Sequence, residues 1–127
     1  MSPEIEILIQ ESQAQQKRGD MLGALDLALQ AIDQAQETTS VLPAALIQAA
    51  KIHVDLGQFS EARELAMRIL TDSPADQNKV QAMIILGNCA GQTEDIPSAE
   101  EYFKQACNLS RTLGDRVGLS QALSKLA

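Results

Sequence analysis

The 127-residue chain has no tryptophan, one tyrosine, two phenylalanines and one histidine. Aromatic bulk cannot fill its interior, so alanine, leucine and isoleucine must supply most of the 45% of residues that are hydrophobic. Such side chains favour helices and let helices approach closely. The lone His53 has no second imidazole with which to bind a metal or relay a proton. Glycine-rich phosphate loops, G-x-S-x-G elbows and H-E-x-x-H pairs are missing as well. The acidic pairs Glu4/Glu6 and Glu100-Glu101 fall at helix starts, where the macrodipole favours carboxylates. The expectation is a non-enzyme with no catalytic residues, no metal and no cofactor.

Cysteine is nearly as scarce. Cys89 and Cys107 are too few for a disulfide framework and lack C-x-x-C spacing. They read as buried structural thiols in a soluble, reducing, cytoplasmic setting. Positive charge is also short, with 10 Lys+Arg against 17 Asp+Glu and a net charge of -7. The closest approach to a basic cluster is Lys17-Arg18, beside Gly19-Asp20 at a turn. A phosphate backbone needs far more, so nucleic acid is not an expected partner. No apolar run approaches the roughly 18 residues of a membrane span. The opening Met1-Ser2-Pro3-Glu4 has no basic segment followed by an apolar one, so no signal peptide is expected.

What the sequence does contain is helical periodicity cut by turn signals. Leu25, Ala28, Ile32 and Ala35 recur three and four apart, as do Leu46, Ala49, Ala50 and His53. Gly19-Asp20, Pro43, Gly57-Gln58, Asp72-Ser73-Pro74, Gly91 to Pro97 and Gly114-Asp115 interrupt the pattern. The spacing predicts seven helices, at about 3–18, 21–37, 43–56, 59–71, 76–91, 96–112 and 117–126. Ser2 before Pro3, Asp95 before Ile96-Pro97, and Asp115 after Gly114 read as helix caps. Short connections favour antiparallel hairpins.

An internal repeat is the strongest signal. Ala24, Ala62 and Ala99 each follow a turn, at intervals of 38 and 37 residues. Twelve residues before each stand Ser12, Ala50 and Gly87, all small. Sixteen before stand Leu8, Leu46 and Met83, and seven after stand Ala31, Ile69 and Ala106. Antiparallel helices cross closely only where facing residues are small, so Ser12, Ala50 and Gly87 should meet Ala24, Ala62 and Ala99 in a structural seam. No hairpin buries its apolar face alone, so successive ones are expected to stack into a right-handed α-solenoid. The fold class is therefore all-α, with three repeats over about 5–38, 43–76 and 80–113. A partial repeat or capping helix follows over 116–127, making one domain of 1–127.

This pattern resembles the tetratricopeptide repeat, W-x2-L-G-x2-Y…A-x3-F…P. The second block reads Leu46-x2-Ala49-Ala50-x2-His53, Gly57, Ala62-x3-Ala66 and Pro74. The third reads Met83-x2-Leu86-Gly87-x2-Ala90 and Ala99-x3-Phe103-x2-Ala106. The first is weaker: Leu8-x2-Glu11-Ser12-x2-Gln15, Gly19-Asp20 and Ala24-x3-Ala28-x2-Ala31. The period exceeds the usual 34 or so, with Thr38–Val41 and Gln77–Lys79 as the sites of extra residues. The family's Trp and Tyr are missing throughout, His53 stands at a core aromatic position, and Glu94 replaces a turn glycine. Phe103 is expected in the hairpin seam and Tyr102 nearer the surface.

The resemblance implies a protein-interaction scaffold that holds a partner's peptide or helix in a concave groove. The groove positions it implies are Ile9 and Gln13, Ile47 and Lys51, Ile84 and Asn88. A carboxylate clamp of the chaperone-binding kind is not implied, because the matching positions are Ile9, Gln13, Gln81 and Ile85, without cations. The competing reading is a structural or self-assembly module, or a fragment of a longer signalling array. There, Val117, Leu119, Leu123 and Leu126 of the C-terminal helix would drive homo-oligomer formation.

Overall fold

The computed structural model describes residues 3–35, 42–72 and 76–126. These form seven α-helices, with no strand among the described residues: α1 Pro3–Arg18, α2 Met21–Ala35, α3 Leu42–Asp55, α4 Phe59–Asp72, α5 Asp76–Gln92, α6 Ile96–Leu113 and α7 Arg116–Leu126. The expected segments match within a single residue wherever both ends are described. Ser2 as a cap, residues 36–37 as helix, the extra residues Thr38–Val41, and Ser73-Pro74 of the second block all lie outside the described residues. Gln77–Lys79 lengthen α5 at its start. No described helix is long and apolar enough to cross a membrane.

The turns follow from one repeated device. A residue with left-handed backbone stops the helix, and an aspartate then opens the next, except after Gly57, where Gln58 stands in its place. Gly19, Gly57 and Gly114 take φ values of 89°, 78° and 70°, and Glu94 takes 66° in the same role. At the end of α6, the Gly114 N–H donates to Arg111 O and the Asp115 N–H to Ser110 O, at 3.2 and 2.9 Å. These bonds occupy carbonyls the helix would otherwise leave without partners. The carboxylates of Asp20, Asp95 and Asp115 then accept from the N–H groups of Gly23, Ser98 and Gly118, at 3.0, 3.3 and 3.0 Å. Each satisfies an orphan donor of the following helix.

The chain forms two compact units, residues 1–65 and 66–127. In the first, α1 packs on α2, and α3 packs on both. Ile5, Ala24, Ala28, Ala31 and Ile32 are buried there, as are Leu46, Ala49, Ala50 and Ile52 of α3. The second unit repeats the scheme, with α5 on α6 and α7 against both. Its apolar cluster joins Val80, Ile84, Ala90, Ala99, Phe103, Ala106, Cys107 and Ala122. A β-carbon on Gly91 would stand 3.9 Å from the Ala99 β-carbon, and one on Gly87 would meet the Phe103 ring. Moving four residues forward along α5 thus moves four residues back along α6, the signature of antiparallel packing. Gly118 of α7 leaves room for Val80 Cγ1, and Gln81 Nε2 donates to Gln121 Oε1 at 3.0 Å, so α5 and α7 advance together.

Ser12, Ala24, Ala50, Ala62, Gly87 and Ala99 are all buried. Phe103 is buried against Gly87, and Tyr102 is half-buried.

Candidate functional site

A polar chain crosses the first unit between α1 and α3. Ser12 is fully buried, and its Oγ donates to the Ala24 carbonyl at 2.6 Å. Gln48, only 4% exposed, donates from Nε2 to Ser12 Oγ at 3.1 Å and to Gln16 Oε1 at 3.0 Å. Gln16 in turn donates from Nε2 to Asp55 Oδ2 at 2.7 Å. A buried amide without partners is costly, so these bonds have a preferred geometry. They fix the register of α3 against α1, and through Ser12 the register of α1 against α2. The contacts advance in the same direction along both helices, so α1 and α3 run parallel.

The groove positions of this unit ride on those two helices. Ile9 and Ile47 are half-buried, whereas Gln13 and Lys51 are exposed. The second unit differs. Ile84 is 7% exposed and belongs to the core cluster around Phe103, while Asn88 is half-buried. Ile84 is core, and a partner would not reach it without opening the unit. Gln81 is engaged with Gln121 and Ile85 is buried, so neither offers a cation for a terminal carboxylate.

The buried Gln48 was not among the positions singled out from sequence. Its one available signal is a polar residue inside the apolar stretch Ala44 to Ala50.

The groups that most often carry chemistry have structural surroundings. His53 is buried, and its Nδ1 lies 2.7 Å from Gln58 Oε1. An amide oxygen only accepts, which assigns the ring proton to Nδ1. The bond ties the end of α3 to the turn before α4. Cys89 and Cys107 are buried. Among the described residues, no group of three or more His, Cys, Asp or Glu side chains is placed to hold a metal ion.

Residues 80–113 match the family described as tetratricopeptide repeat. The matched span runs from the second turn of α5 to the last residue of α6, which is the hairpin built on Gly87, Ala99 and Phe103. No curated protein matches the chain. The helical hairpins, their small-residue seam and this match converge on a repeat of the tetratricopeptide type over residues 80–113.

Proposed function

We propose that the chain is a non-catalytic protein-interaction module that holds a segment of a partner polypeptide along the α1–α3 face. Tetratricopeptide repeats are in general interaction modules without catalytic groups, and the match at 80–113 is the observation that carries the reading. Helical geometry supports the choice of face. At about 100° per residue, Ile9 and Gln13 lie to one side of Gln16 on α1, and Ile47 and Lys51 lie to the opposite side of Gln48 on α3. In two parallel helices that face each other through Gln16 and Gln48, opposite offsets border the same side of the junction. Two half-buried isoleucines would then be flanked by an amide and an ammonium group. Such a strip suits a segment with apolar anchors and an acidic or amide neighbour. A reducing, cytoplasmic setting suits two buried cysteines that lie in the helical core.

The test uses the first unit, because Ile84→Asp would bury a carboxylate in the core and unfold the second. A chain carrying Ile9→Asp and Ile47→Asp should keep its helical circular dichroism. Used as bait in extracts of its native cell, it should lose a protein that the wild-type chain retains. Equal retention by a folded variant would show that the partner binds elsewhere.

A further inference from the structure

Two exposed surfaces of this chain carry opposite charge at matched spacing. On α1, Glu4, Ile7 and Glu11 are exposed, with Ile7 at 50%. At about 100° per residue these three fall within about 60° of one another, and Arg18 continues the line. Ile9 points about 160° away, so this surface is distinct from the α1–α3 face.

On α6, Glu100, Lys104, Cys107 and Arg111 form a second line. Lys104, Cys107, Asn108 and Arg111, with Leu123 of α7, border a shallow pocket of about 200 Å³. Leu123 is 43% exposed. An apolar side chain thus sits between two cations, the inverse of Ile7 between Glu4 and Glu11.

We propose that the α6–α7 pocket docks the outer face of α1 from a second copy of the chain. The occupant follows from charge and spacing. Glu4 and Glu11 are seven residues apart, as are Lys104 and Arg111, a rise of about 10.5 Å in each helix. Antiparallel docking sets Glu11 against Lys104 and Glu4 against Arg111, with Ile7 over Leu123 and Arg18 directed toward Glu100. Parallel docking would instead bring Arg18 toward the Arg116 end, with like charges opposed. In a chain of net charge -7, copies otherwise repel, so a local charge match decides which faces meet. The contact joins unlike surfaces and therefore builds a ring or an open chain of copies. It does not depend on the partner-binding reading of Ile9 and Ile47.

Sedimentation velocity over a concentration series of the 127-residue chain tests this. A contact the size of one helix face is small, so half-association is expected near roughly 100 μM. Raising the salt should weaken it. E4K/E11K and K104E/R111E alter only exposed residues, and each should keep its helical spectrum while associating at least about tenfold more weakly. Mixed in equal amounts they should associate again, because the reversed α1 face of one fits the reversed pocket of the other. A wild-type chain that stays monomeric to about 1 mM overturns the proposal. So does association unchanged in either reversed variant, or a mixture no better than its components.

Discussion

Gly87 on α5 lies directly under the ring of Phe103 on α6. A β-carbon at position 87 would stand 2.5 Å from Phe103 Cε1 and 2.7 Å from Cζ, closer than real β-carbons come. The corresponding positions in the first block are Ser12 and Ala28, both buried. Where the second helix carries a ring, the first gives up its side chain. Where α2 carries the methyl group of Ala28, α1 keeps the hydroxymethyl of Ser12. Between α5 and α6, volume is traded between Gly87 and Phe103, sixteen residues apart, as close packing of an interior demands.

Ser12 tests the polar part of that seam. Ser12→Ala removes the bond to the Ala24 carbonyl and one of two acceptors of Gln48 Nε2. Urea unfolding should show a loss of about 1–2 kcal/mol. Gln48→Leu added to Ser12→Ala should cost less than the two changes measured separately, because it removes the amide that Ser12→Ala deprives. Strict additivity would show that the two side chains are not coupled.

Glu94 offers a gain of stability. It holds φ at 66° at the turn into α6, where Gly19, Gly57 and Gly114 serve the other turns. A β-carbon is disfavoured there by about 1–2 kcal/mol, partly offset by the greater freedom of an unfolded glycine. Glu94→Gly is expected to raise stability by about 0.5–1 kcal/mol, read as a higher melting temperature. Gly114→Ala should lower it by a similar amount.

Ala62 is fully buried at the start of α4. Ala62→Leu should overpack the site and cost about 1–3 kcal/mol in urea unfolding. A neutral result would mean that space exists where the repeat register requires closeness.

The helices were legible because each ends on a local signal. Asp95 and Asp115 announce their helices through side-chain chemistry, and Gly114 its turn through backbone freedom, without reference to the rest of the chain. The seam was legible because Ser12, Ala50 and Gly87 recur in register. Ile84 shows where that reasoning stops. It holds the same register as Ile9 and Ile47, yet is buried while they are only half-buried. Register gives an angle around a helix axis, but burial depends on how much neighbouring bulk covers that angle. Around Ile84 the bulk is the cluster that contains Phe103, which the other two blocks lack. Gln48 was illegible for a related reason. A lone glutamine among alanines reads as surface until α1 supplies Ser12 and Gln16 as its partners.

The most direct test of close-packed hairpins is Gly87→Ala measured in two backgrounds by urea unfolding. With Phe103 present, the added methyl meets the ring and should cost about 1–3 kcal/mol. With Phe103→Leu the obstruction is gone, and the better helix former at position 87 should be neutral or stabilising by up to about 1 kcal/mol. A reversal or loss of the penalty is the predicted result; the same penalty in both backgrounds would contradict the account.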